Sequence, residues 1–228
     1  MSFNLPTVAL ELIAFLLALS VHEAAHAWVA WRRGDPTARL LGRITLNPIK
    51  HAELFGTFLF PLMMLMSGTG WFFGWAKPTP VDPRHFKRPR FDDVLVSLAG
   101  PASNALLAVA WVLAIWLAWW VAPAQARLAL AHLGQPRGGD TLWTPFVDFA
   151  YYGVVLNVVL ALFNLIPLPP LDGSHVLRQC LHGSWSRGYA RLYHNGWISL
   201  MLLIAVLYVG IPNWVLDPVL GWFQKCLP

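Results

Sequence analysis

Long apolar runs separated by short stretches rich in proline, glycine and charge set the pattern of this chain. From Leu5 to Trp31 the only ionisable side chains are Glu11, His22, Glu23 and His26, and about 20 apolar residues suffice to cross a bilayer as a helix. Three further runs of crossing length occupy 94–121, 146–168 and 196–220. The run 55–75 is equally apolar but is broken by Pro61, Gly68, Gly70 and Gly74. It leads into "AKPTPV", where Pro78 and Pro80 enforce extended backbone. Between Gly34 and Pro48, turn residues bracket the alternating "RLLGRITL", which predicts a short hairpin. Pro167, Pro169 and Pro170 must end any helix built on 146–168, and a new helix is expected to begin near Asp172 or Gly173. The pattern predicts an all-α polytopic membrane protein with about four full transmembrane helices, a re-entrant segment and a short membrane-associated β-hairpin. Residues 1–228 are expected to form a single membrane-embedded domain.

Composition sharpens this reading, because 57% hydrophobic residues, 12% charged residues and 13 tryptophans exclude an ordinary soluble domain. The formal charge of +5 does not point to nucleic acid, since the basic residues flank apolar runs rather than line one polar face. Arg32, Arg33, Arg39, Arg43 and Lys50 fill one loop, and Lys77, Arg84, Lys87, Arg88 and Arg90 the next. Both should face the cytoplasm, so the segment between them must enter the membrane and return on the same side. The loop carrying Arg178, Arg187 and Arg191 then also faces inward, while Arg127, Arg137 and Lys225 lie outside with the N terminus. The first run has no basic segment before it and polar residues at its end, so it reads as a retained helix rather than a signal peptide. Cys180 and Cys226 fall on opposite faces in this topology, and no disulfide framework is expected.

Within the first span, "HEAAH" places His22 and His26 four residues apart, one helical turn, so both imidazoles can reach one metal ion. Glu23 beside them can take a proton from metal-activated water. Ionisable groups at this depth cost at least ~2.5 kcal/mol near a helix centre, which argues for a functional site. A catalytic zinc normally has three protein ligands. Asp172 is the best third, because the helix break brings it to the cytoplasmic end of a span, level with the histidines. An aspartate before glycine is otherwise often a turn or helix-capping residue.

"HEAAH", "AGPASN" (99–104) and "NLIPLPPLDG" (164–173) together resemble the site-2 protease family of intramembrane zinc metalloproteases. "LGRITLNPIKHAELFG" and "GWAKPTPV" further resemble its small bacterial branch, which has neither a PDZ nor a CBS domain, and neither is expected here. That branch often has Asp at the position of Glu53. The resemblance implies one Zn2+ per chain held by His22, His26 and Asp172, with Glu23 as acid/base and Asn164 near the scissile carbonyl. It also implies a membrane-embedded β-element that holds substrate as an added strand.

The expected activity is hydrolysis of a peptide bond within or beside the transmembrane segment of a membrane protein. Substrate and lipid bilayer are the expected partners, in a bacterial inner membrane, with the site towards the cytoplasm. The competing class is a non-enzymatic metal-binding or metal-transport protein, which has no special need for a carboxylate beside the first ligand. Asn104 is read equally as site-lining or as a helix-packing residue. His51 and His175 are placed at the cytoplasmic mouth, His85, His132, His182 and His194 in loops, and Glu11 towards the outer surface.

Overall fold

The computed structural model describes residues 5–66, 74–131 and 143–208 and, near the end of the chain, 217–219, 221, 222, 225 and 227. Among these the α-helices are α1 (Leu5–Arg33), α2 (Thr37–Leu40), α3 (Phe60–Met66), α4 (Pro89–Val121), α5 (Pro123–Ala131), α6 (Trp143–Asn164), α7 (Asp172–Cys180), α8 (Gly183–His194) and α9 (Gly196–Tyr208). Helices α1, α4 and α6 are long and apolar enough to cross a membrane. The fourth expected crossing, 196–220, begins as α9, and most of its second half lies outside the described residues, as do Gly68, Gly70, His132, Arg137 and Cys226.

The bundle core is built from α4 packed against both α1 and α6. Its contact faces are rich in small residues: Ala14, Ala18, Ala27 and Ala30 of α1, Gly100 and Ala108 of α4, and Ala150, Gly153 and Ala161 of α6 are all buried. Bulky side chains such as Leu106, Leu113, Leu117 and Trp120 of α4 face outward. Lipid tails solvate Leu and Trp as well as a core does, so helix association rests on the close approach that small residues permit. Pro101 sits inside α4 without ending it, as neighbouring helices allow in a membrane bundle. In the expected outer loop, Pro123 opens α5 at a position where its missing N–H is harmless. Ala126 and Ala129 of α5 then bury against Ala118 and Val147.

The expected hairpin is not found, and no strand occurs among the described residues. The Asp35 carboxylate instead accepts from the Thr37 N–H and hydroxyl (3.0 and 2.5 Å) and starts α2. Gly42, at φ +68°, ends that turn as its N–H returns to the Arg39 carbonyl. A 3₁₀ turn follows at Pro48–Lys50, with the Asn47 side chain accepting from the Ile49 N–H. Leu40, Leu41, Leu46 and Ile49 all point away from the protein. The alternation that suggested a half-buried strand therefore has no sheet partner to bury one face against.

A π-helical turn at Leu54–Leu59 continues directly into α3. From Gly74 the chain runs extended, and the Trp75 and Lys77 N–H groups donate to the carbonyls of Gly56 (3.0 Å) and His51 (2.8 Å). Both ends of the 54–74 excursion are thus tied together. Polar clamps order one end of the bundle. Arg33 at the end of α1 pairs with buried Asp92 at the start of α4 (2.6 Å from Nε), and the second Asp35 oxygen accepts from the Asp82 N–H (2.7 Å). Neighbouring Asp93 accepts from Gln179 Nε2 (2.6 Å) and faces His175 Nδ1 (3.6 Å), holding α7 against α4.

Helix α7 starts as expected, at Asp172. Gly173 permits the tight return from α6, since a Cβ there would stand 2.2 Å from the Leu165 carbonyl oxygen and 2.8 Å from that of Ile166. Both obstacles are backbone. Gly173→Ala should destabilise the protein by about 1–3 kcal/mol, as overpacking does, lowering the melting temperature of the purified protein. An unchanged melting temperature would show that α7 is less tightly docked than described.

Candidate metal centre

His22 and His26 lie on the buried face of α1 among alanines, and α7 delivers Asp172 from a distant part of the chain. His22 Nε2 is 3.0 Å from His26 Nε2, and these nitrogens are 3.1 and 3.3 Å from Asp172 Oδ2. Among the described residues this is the one group of His, Cys, Asp and Glu side chains whose geometry suits a metal ion.

The orientation of each ring follows from its other nitrogen. His26 Nδ1 donates to the carbonyl of Val96 (2.7 Å), and His22 Nδ1 donates to Asn104 Oδ1 (2.5 Å). With both Nδ1 atoms carrying the proton, both Nε2 atoms present lone pairs to the shared space. Asp172 Oδ2 is buried and has no hydrogen-bond partner despite lying close to both rings. Three lone-pair donors facing one another without a proton between them are costly unless a cation sits there. Gly100 keeps that space open. A Cβ at this position would lie 2.4 Å from His26 Nε2 and 2.6 Å from His22 Nε2. Two imidazoles and a carboxylate make a donor set suited to zinc. The residues present fit the metal that the motif implies.

Asn104 is more than a packing residue, because its amide nitrogen donates onward to Asn157 Oδ1 (2.7 Å) and the Ala18 carbonyl (3.3 Å). Asn157 in turn donates to the Gly153 carbonyl on its own helix (2.7 Å). Both asparagines are fully buried. A chain of amides thus crosses from α6 through α4 to the His22 ring on α1. Sequence reasoning passed over Asn157, although a lone amide inside "VVLNVVLALF" is the same signal that singled out "HEAAH": a polar group in a spanning run needs a partner.

The Glu23 carboxylate does not join the cluster of three. Its Oε2 accepts from the Thr79 N–H (2.8 Å) and hydroxyl (2.7 Å), both from the extended segment after Gly74. Nothing in the sequence marked Thr79 beyond its place between two prolines. Asn164 ends α6 and donates to the Leu160 carbonyl (2.9 Å) rather than to any member of the cluster.

His51, His175 and His85 have other tasks. Buried His51 bonds the Thr45 carbonyl through Nε2 (2.8 Å) and receives Lys77 at its own carbonyl. Burial pushes the His51 pKa down, and the nearby Arg43 guanidinium adds to this against the opposing pull of Thr45 and Glu23. Burial thus favours the neutral ring, and it is the main-chain carbonyl of His51 that supports the extended segment. Arg43 bonds the Lys77 carbonyl. His175 packs edge-on against Tyr193 and faces Asp93, and His85 sits beside Asp35.

Comparison with known proteins agrees with this chemistry. The profile of Peptidase family M50 matches residues 10–208. The chain is 37% identical over 209 residues to a Bacillus subtilis protein named "Putative zinc metalloprotease YwhC", covering 92% of this chain and 84% of that one. It is 30% identical over 215 residues to the identically described Rip2 of Mycolicibacterium smegmatis (94% and 73% covered), and 25% identical over 219 residues to Rip2 of Mycobacterium tuberculosis (89% and 71%). No solved structure gives a significant match. The chain belongs to Peptidase family M50, the site-2 proteases, and is an intramembrane zinc metalloprotease.

Proposed function

We propose that His22, His26 and Asp172 hold the zinc, that Glu23 is the general base and acid, and that the site opens to the cytoplasmic side to cut a transmembrane substrate. The observation that carries this reading is the convergence of His22 Nε2, His26 Nε2 and the unpartnered Asp172 Oδ2 in the gap left by Gly100. Zinc bound there would supply Lewis acidity, making a water acidic enough to lose its proton near neutral pH and polarising the scissile carbonyl. Glu23 takes the proton from the attacking water. As the carbon–nitrogen bond breaks, Glu23 returns that proton to the leaving amine. Asn164 would donate to the carbonyl oxygen as charge develops on it, its amide having two N–H donors of which the Leu160 carbonyl takes one.

The paired ends of the 54–74 excursion support a segment that enters the membrane and comes back on the side it left. The bond between Asp35, just beyond α1, and the Asp82 N–H supports placing both basic loops on that side. Along the returning stretch, residues 75, 77 and 79 turn main-chain groups towards Gly56, His51, Arg43 and Glu23. Ala76, Pro78 and Pro80 take no part in these bonds. That second edge offers the carbonyls of Ala76, Pro78 and Pro80 and one N–H, at Ala76, so it would hold an unwound substrate mainly by accepting main-chain hydrogen bonds from it. A metal transporter would not need Glu23 tied down beside the first ligand.

Glu23→Gln should retain one zinc per chain yet abolish cleavage of a model transmembrane substrate, because the amide keeps the shape and cannot accept the proton. Cleavage at the parental rate would sink the mechanism, and loss of zinc in step with activity would make Glu23 a ligand.

Topology has its own test. Single cysteines at Leu41 and Lys87, in a chain with Cys180 and Cys226 changed to serine, should both resist a membrane-impermeant thiol reagent until cells are opened. Labelling of the Lys87 position alone in intact cells would mean that 54–74 crosses the bilayer.

A further inference from the structure

Glu23 is a flexible side chain on the residue after a zinc ligand, and a general base must hold its carboxylate within hydrogen-bond reach of the proton it removes. The neighbour that restrains it comes from far along the chain. Thr79 donates its N–H to Glu23 Oε2 (2.8 Å), and its hydroxyl lies 2.7 Å from the same oxygen and 3.0 Å from the Glu23 main-chain carbonyl. A hydroxyl has one proton, which these two oxygens share. One carboxylate oxygen thereby accepts from two donors.

The arm that carries Thr79 is stiff. Pro78 fixes its own φ, and Pro80 confines Thr79 to extended backbone. Four bonds anchor the arm just before this point: Trp75 N–H to the Gly56 carbonyl, the Thr57 hydroxyl to the Trp75 carbonyl (2.7 Å), Lys77 N–H to the His51 carbonyl and Arg43 to the Lys77 carbonyl. The hydroxyl is consequently presented from a fixed frame rather than from a loose loop.

We infer that Thr79 is a positioning residue for the general base, acting through its hydroxyl to hold the Glu23 carboxylate in one orientation while its N–H ties the arm to α1. The inference rests on Glu23 being the base, as proposed above. Removing the hydroxyl while keeping the shape leaves the N–H bond and the arm in place but lets the carboxylate turn. Turnover then suffers, while zinc and substrate binding do not.

The test uses the purified full-length protein with a model transmembrane substrate, measuring kcat, KM and zinc content for Thr79→Val, Thr79→Ala and Thr79→Ser. Losing a hydrogen bond to a charged group should lower kcat about 10- to 100-fold in the Val and Ala variants. KM and zinc stoichiometry should stay at parental values, and the Ser variant should come back within about twofold of the parent in kcat. Parental kcat in Thr79→Val would overturn the inference. So would a raised KM at unchanged kcat, loss of zinc, or a Ser variant as slow as Val, each of which makes the residue a structural staple. If Glu23→Gln instead cleaved normally, the assignment of the base would fail whatever the Thr79 variants do.

Discussion

A polar group buried among apolar helices must find its partner inside the protein, and in this molecule that single constraint organises the bundle. His22 and His26 are sunk in α1, away from bulk water, where unpaired ring nitrogens are penalised. Each ring passes one N–H to α4, to Asn104 and to the Val96 carbonyl. Asn104 cannot be left half-satisfied either, and its amide recruits Asn157 on α6. Satisfying two imidazoles therefore fixes how three helices meet, and leaves both Nε2 lone pairs aimed at the same place.

Packing serves this arrangement. Alanine and glycine on the inner faces let the backbones come close enough for short side-chain amides to span them, and Gly100 in particular keeps the space before the two Nε2 atoms clear. The third donor arrives by a different route. Proline breaks the chain after α6, Gly173 lets α7 turn back against the Leu165 carbonyl, and Asp93 grips Gln179 and His175 so that Asp172 at the head of α7 meets the histidines. Rigid elements thus hold the three candidate metal donors, while an extended arm reaches Glu23, the proposed general base.

Periodicity and composition made three of the four expected spanning helices, the proline break and the start of α7 legible in the sequence, because each is set by local residues. The zinc motif was legible for the same reason: His22, Glu23 and His26 are neighbours on one helix. What the sequence hid is tertiary. Alternation in "RLLGRITL" resembled a strand, yet Leu40, Leu41 and Leu46 face outward, and Asp35 and Gly42 impose a helical turn instead. Asn157 and Thr79 do their work through partners 53 and 56 residues away, a pairing no local pattern encodes. Asn164, singled out by resemblance, is turned towards Leu160 in this state.

The central claim is that two imidazoles and one carboxylate, brought together from α1 and α7, hold the metal. Zinc K-edge X-ray absorption on the purified protein tests it most directly. The account predicts scattering from two imidazole rings, with all nearest ligands nitrogen or oxygen at about 2.0–2.2 Å. A sulfur shell near about 2.3 Å, or scattering from one or three imidazoles, would contradict it.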